Sequence, residues 1–209
     1  KEIGRSNTTI SYMWVFLGGD IDRPLLSYQY HPTRSGKEIM EYLKGYKGYI
    51  QTDGYGGYDF LDAIADITHV GCWAHARRNF VDVVKASGKR ESVKGRTGVA
   101  EEAVSYIQRL YAIEKDARER ELSFDKVYEL RQERSKPILI EFKKWLVNSL
   151  THVNPQGLLG KAISYTLNQW DRLIRYIDDG RIRIDNNLTE NAIRPFVVGR
   201  KNWLFSGAP

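Results

Sequence analysis

The apolar pattern of this 209-residue chain changes period part-way along, and that change limits the fold more than any other feature. Up to residue 87, short strand-like and helix-like runs alternate. Ser11 to Leu17 is rich in aromatic and β-branched residues, as strands are. Gly18 to Pro24 has turn chemistry, so Leu25 to Tyr30 is expected to return as an antiparallel partner. Ser35 with Glu38 has capping-box spacing and opens a short helix expected to bury Ile39, Met40 and Leu43. Gly48 to Thr52 reads as a brief strand that stops at Asp53-Gly54-Tyr55-Gly56-Gly57. A helix through Phe60, Leu61, Ile64 and Ala65 follows, then a strand from Ile67 to Gly71. Ala74 to Val84 reads as a helix with Phe80, Val83 and Val84 on one side. This order is that of an α/β core.

From about Gly88 the pattern is helical. Lys89 to Gly98 is charged, with two glycines, and is expected to be a mobile connection. Ala103, Tyr106, Ile107, Leu110 and Ile113 form one stripe at helical spacing. Phe124, Val127, Tyr128 and Leu130 begin a second, which continues through Ile138, Phe142, Trp145 and Leu146 with a break expected at Pro137. Asn154-Pro155 reads as N-cap and N1 of a third. Its stripe is Leu159, Ile163, Leu167, Trp170, Ile174 and Ile177, and Gly180 ends it. The expected organisation is therefore residues 1–87 as the first part of an α/β core, 88–180 as a helical insertion, and 181–209 as a return to the core.

A 42% hydrophobic and 28% charged composition is that of a folded protein. No apolar run approaches the roughly 20 residues that span a bilayer, and the N-terminus carries no apolar signal segment. A net charge of +6 suits a polyanionic partner. Cys72 is the single cysteine, so no internal disulfide forms and a reducing compartment fits.

Three places carry chemistry. Asp53 ends a strand beside glycines, where a carboxylate is rigidly held yet reachable by a metal; taken alone it reads more readily as a common Asp-Gly turn. Gly71 to Phe80 opens a helix with His75 and Arg78 near its start, able to face phosphate or to organise neighbouring acids. Cys72 and His75 resemble half a zinc site, but the other half is absent. Ile184 to Pro195 reads as a turn feeding a short helix, with Asp185, Asn186, Asn187 and Glu190 at its start. Asn187 and Glu190 also have capping-box spacing. Arg194, Arg200 and Lys201 follow, and Arg forks suit phosphate oxygens. Trp203, Leu204 and Phe205 are expected to form a strip packed on the core. Two carboxylates from distant segments can share Mg²⁺ or Mn²⁺.

Gln51-Thr52-Asp53-Gly54-Tyr55, Gly71-Cys72-Trp73-Ala74-His75-Ala76-Arg77-Arg78, and Asp185-Asn186-Asn187 with Glu190, Ala192 to Pro195 and Gly199 to Phe205 occur in this order. Together they resemble the DDE transposases of the insertion sequence 66 family, from about Tyr12 to Pro209. The resemblance implies a ribonuclease-H-like mixed sheet flanked by helices, interrupted by an all-helical insertion. It implies two divalent ions held by Asp, Asp and Glu, with Asp53 as the second acid and Glu190 the third. The family's Arg after that Glu is Asn191 here. The first acid lies upstream of Ile3 by the family pattern, so the chain is expected to be a catalytic-domain fragment lacking one metal ligand, binding DNA weakly and not cutting it. The implied partners are double-stranded DNA, both element ends and target, and further copies of the protein assembled on DNA. The implied setting is the bacterial cytoplasm at the nucleoid, with no membrane. A related nuclease or resolvase, or a non-catalytic DNA-binding remnant, are the alternatives.

Overall fold

The computed structural model describes residues 10–20, 23–87 and 98–202. Its first elements are β1 (Tyr12–Asp20), β2 (Arg23–His31), α1 (Gly36–Tyr42), β3 (Gly48–Gln51), a 3-10 helix (Gly56–Ala63), β4 (Ile67–Val70) and α2 (Trp73–Ala86). Then come α3 (Val99–Glu119), α4 (Phe124–Leu130), a π-helical turn (Arg131–Ser135) and α5 (Lys136–Leu150). Last are α6 (Leu158–Asn168), α7 (Trp170–Leu173), a 3-10 turn (Ile174–Asp178) and α8 (Asn187–Asn202). The architecture is mixed α/β, and the chain divides into two compact units: Lys1–Tyr46 with Asn186–Pro209, and Lys47–Asp185. The connecting segment at 88–97 and the strip Trp203-Leu204-Phe205 lie outside the described residues.

In the first unit β1 and β2 pair antiparallel from Tyr12↔His31 to Asp20↔Arg23. The glycine-rich stretch expected to be all turn is thus largely part of the ladder. Gly19 makes this possible: at φ +81° a Cβ there would lie 2.6 Å from the Arg23 carbonyl oxygen, so only glycine fits. Trp14 is the buried residue of β1, whereas Leu25, Leu26, Tyr28 and Tyr30 of β2 are exposed.

Ser35 caps α1 by accepting a hydrogen bond from the Lys37 amide at 3.3 Å. Glu38 does not complete a capping box; its carboxylate faces His31 Nδ1 at 3.4 Å. Ile39 is buried, but Met40 is exposed, because the next helical position points about 100° away. Tyr42 lays its ring 4.4 Å from that of Phe16. Helix α8 packs against β1, and the Tyr28 hydroxyl donates to the Ala192 carbonyl at 3.1 Å. It is longer than the short helix expected and runs through Pro195, which has no N–H to offer the Asn191 carbonyl.

In the second unit β3 and β4 are parallel, with Gly48↔Ile67 to Gln51↔Val70 in register. Their crossover is a 3-10 helix rather than the expected α-helix. It begins with two glycines, which are poor helix formers, and buries Leu61. Helix α2 buries Trp73, Ala76 and Phe80; Val83 packs only at the margin. These side chains share one core with Ile107 and Leu110 of α3, Phe142 and Leu146 of α5, Ile163 of α6, and Trp170, Leu173 and Tyr176. Aromatic rings lock it together: Tyr106 stacks on Phe142 at 4.8 Å and Trp73 meets Trp170 edge-on at 5.9 Å.

Pro137 does not break its helix. The irregularity falls one turn earlier, where the π-helical turn lets the Lys136 amide reach the Arg131 carbonyl. Widening that turn accommodates a proline ring that would clash with the carbonyl four residues back. Asn154 also differs from expectation. Its side chain accepts from the Gln156 amide at 3.0 Å and its carbonyl from the Gly157 amide at 3.0 Å, forming a turn. Helix α6 therefore starts later, with Gly157 as N-cap.

Arg131 is only 2% exposed. All its guanidinium donors are used: on Glu114 at 2.8 and 2.6 Å, and on the carbonyls of Tyr176, Asp179 and Ile182 at 2.7, 2.8 and 2.9 Å. This side chain ties α3 to the segment that leads back towards Asn186. No helix among the described residues is long and apolar enough to cross a membrane.

Candidate metal centre

Thr52 extends the β3–β4 ladder by one bond, its amide donating to the Val70 carbonyl at 3.0 Å. Asp53 then leaves the strand at its C-terminal edge. Asp53 Oδ1 accepts from the Tyr55 amide at 3.0 Å, closing a tight turn over Gly54. Gly54 sits at φ +79°, and a Cβ there would lie 2.5 Å from the Tyr165 hydroxyl. The space beside this glycine is occupied by Tyr165. That hydroxyl donates to the Asp53 carbonyl at 3.4 Å. Burial, then the neighbouring Cys72 and Asp53, push its pKa up to about 12 against the opposing pull of Arg172 and Arg78, so it stays a donor. Gln51 anchors the same strand end by donating to the Gly71 and Arg183 carbonyls at 3.1 and 2.9 Å.

Behind the turn runs a line of polar side chains. Thr52 Oγ1 lies 2.8 Å from His69 Nε2, and His69 Nδ1 lies 2.9 Å from Asp62 Oδ1. Arg172 donates to both oxygens of Asp62 and reaches Asp59 at 2.8 Å. Burial lowers the His69 pKa despite the adjacent Asp62, so the ring is neutral near pH 7. Burial alone would raise the Asp62 pKa, but the hydrogen bonds from Arg172 and His69 outweigh it and hold the carboxyl below the usual range. None of these residues stood out in the sequence. Their one signal is His69 set between apolar Ile67 and Val70 on a strand beside the one that ends at Thr52.

Helix α2 starts at Trp73, fixed by its amide to the Ile184 carbonyl and by its indole N–H to the Leu173 carbonyl at 2.9 Å. Cys72 is buried at the N-cap position. His75 is half-buried and Arg78 exposed, three residues apart and so on one helix face. Asp185 Oδ2 accepts from the Tyr111 hydroxyl at 2.8 Å; burial first, then Asp185, raise that phenol's pKa.

In the first unit, Glu190 lies half-buried in the first turn of α8, and its amide donates to the Asn186 carbonyl at 3.1 Å. Asn187, which had capping-box spacing to it, is already the first helical residue. Arg194, four residues on, is exposed on the same face. Arg200 and Lys201 fall on the last turn, and their side chains lie outside the described residues.

Asp53, His75 and Arg78 thus belong to one unit, and Glu190 and Arg194 to the other. Among the described residues no group of three or more His, Cys, Asp or Glu is gathered to hold a metal ion. Asp53 itself fits a hard divalent cation in donor chemistry: it pairs with no Lys or Arg among the described residues, and Oδ1 is oriented by the Tyr55 amide.

A sequence profile of the Transposase IS66 family matches residues 1–209, and the chain belongs to that family. It is 32% identical to the uncharacterized protein y4jD of Sinorhizobium fredii and 30% identical to y4qI of the same organism, each alignment covering 98% of this chain. The chain spans about two-fifths of the length of these relatives, 40% and 38% respectively. No solved structure matches it.

Proposed function

We propose that this chain is part of the catalytic domain of a DDE transposase, which cuts and joins DNA strands with divalent metal. The observation that carries the reading is the family match along the whole chain, joined to a carboxylate, Asp53, braced at the C-terminal edge of a parallel strand. On this reading residues 1–87 and 181–209 build a ribonuclease-H-like core, and 88–180 interrupt it as a helical insertion. Asp53 and Glu190 supply two of the three carboxylates.

Two bound Mg²⁺ or Mn²⁺ ions would supply activation of the attacking oxygen and stabilisation of the leaving oxygen in an in-line displacement at phosphorus. Asp53 on its braced turn and Glu190 on the first turn of α8 offer hard oxygen donors for that purpose. His75, Arg78, Arg194, Arg200 and Lys201 contact backbone phosphates without reading bases, so DNA affinity falls as salt rises. Double-stranded DNA, as element end and as target, is the substrate, with copies of the protein assembling on it.

The test uses the complete protein encoded by this reading frame, with Mg²⁺, a pre-cut element end and a second duplex. Joining of the 3′ end to that duplex is the expected result. Hydrolysis without joining would favour a nuclease, and neither would favour a DNA-binding remnant. Asp53→Asn and Glu190→Gln should each abolish joining while leaving salt-dependent DNA binding in place.

A further inference from the structure

The side chains behind Asp53 form a line whose polarity can be assigned from end to end. Arg172 has only donors, so Asp62 accepts from it. The Asp62 carboxylate also accepts from His69 Nδ1, which places the ring's single proton there and leaves Nε2 as an acceptor. Nε2 must then receive the Thr52 hydroxyl proton. The Thr52 oxygen has its lone pairs turned to the chain ahead, where the Gly54 amide donates to it at 3.5 Å. Each donor meets an acceptor, and the line joins α7, the 3-10 crossover, β4 and the end of β3.

The Asp-His-Thr order resembles the arrangement that activates a nucleophile. Burial argues against that use. Thr52 is 6% exposed and His69 5% exposed, so neither reaches a substrate. What the line touches instead is the turn that carries Asp53, gripped again by the Tyr55 amide on Oδ1 and by Tyr165 on the Asp53 carbonyl.

We infer that Thr52, His69, Asp62 and Arg172 act as positioning residues, a hydrogen-bonded brace that holds the Asp53–Gly54–Tyr55 turn in the geometry that binds metal. The inference rests on the proposed role of Asp53 as a metal ligand. It extends that role to side chains that touch neither metal nor DNA. Partners of this kind orient a ligand before the metal arrives, and losing one typically costs about 10- to 100-fold in metal affinity.

The experiment compares Thr52→Val, which keeps shape and loses the hydroxyl, with Thr52→Ser, which keeps the hydroxyl and loses a methyl. In the complete protein three quantities are measured: the Mn²⁺ concentration that half-saturates strand joining, amide hydrogen exchange at Gly54 and Tyr55, and the thermal midpoint. Thr52→Val should need about 10-fold or more additional Mn²⁺ and exchange faster at both amides, while Thr52→Ser stays near the parent. A purely packing role predicts the reverse order, with Val tolerated and Ser impaired, and that result overturns the brace. Asp62→Ala, at a half-exposed position, should shift Mn²⁺ dependence and exchange in the same direction if Thr52→Val does not fold; unchanged values overturn the inference. Asp53→Asn separates the two ideas. If it retains Mn²⁺-dependent joining, the ligand role of Asp53 fails, while faster exchange at Gly54 in Thr52→Val still establishes the brace on the turn.

Discussion

In the second unit, Trp73, Phe80, Phe142, Trp170 and Tyr176 interlock in one core, whereas in the first unit Trp14 and Ile39 are the buried apolar side chains among the described residues. Each large side chain fully buried is worth about 1.5–3 kcal/mol, so the turn that carries Asp53 stands on a large apolar reserve. Hydrogen bonding differs in kind as well. The Asp53 turn is held from β4, the crossover, α6 and α7. One tether of α8 to the hairpin is the exposed Tyr28 hydroxyl on the Ala192 carbonyl. The contrast teaches that the turn carrying Asp53 is pre-set by a buried core, whereas strand β2 lies exposed and can open at lower free energy. Native-state hydrogen exchange checks this: amides of α2 and α5 should be protected well beyond those of β2.

The most severe way to break the contrast is to attack the buried centre of the second unit. Arg131→Met strands the Glu114 carboxylate and three carbonyls inside the protein, and should cost about 3–5 kcal/mol in denaturant unfolding. Adding Glu114→Gln should recover part of that loss, because the uncompensated charge is gone.

A gentler lever is pH. Burial keeps the folded His69 pKa below its free value of 6.5, so below that value the unfolded chain binds more protons. Stability of the second unit should be complete above about pH 6.5 and decline as pH falls below it. Asp62 adds loss in the same direction at lower pH, as its depressed carboxyl finally protonates. His69→Gln should flatten the upper part of this profile and leave the lower part. A profile in the variant identical to the parent's would remove His69 from the account.

Smaller effects belong to the first unit. Ser35→Ala removes the α1 cap and should cost about 1 kcal/mol. Leu26→Ser, on the exposed strand β2, should change stability by no more than about 0.5 kcal/mol. A much larger loss there would mean that the hairpin is better buried than its exposure indicates.

Much of the local structure was legible. The antiparallel return of Leu25 to Tyr30 follows from turn chemistry, and the two strands flanking the crossover and the stripe from Ala103 to Ile113 from residue type and apolar spacing. The misses were of another kind. Gly18 and Gly19 read as turn because composition does not say that a glycine at positive φ can sit inside a ladder. The widened turn before Pro137 and the late start of α6 depend on where backbone bonds can be re-made, which the pattern of apolar residues does not encode. At the candidate site, Asp53 was conspicuous as an acid between a strand and glycines. Thr52, His69 and Tyr165 were not.

The sequence by itself determined the order of strands and helices, the placement of Asp53 at a strand end, and the motifs that carry membership of the IS66 transposase family. Only the tertiary structure decided which polar groups are buried and what satisfies them. Arg131 reads as one cation on a charged helix, yet it is sealed among carbonyls 45 to 51 residues away. Tyr165 reads as a helix side chain, yet it fills the space beside Gly54 and grips Asp53 from 112 residues away. The physical reason is that apolar periodicity reports which face is buried. The pairing of buried donors and acceptors depends on distant segments meeting, and each group left unpaired would cost about 1–3 kcal/mol.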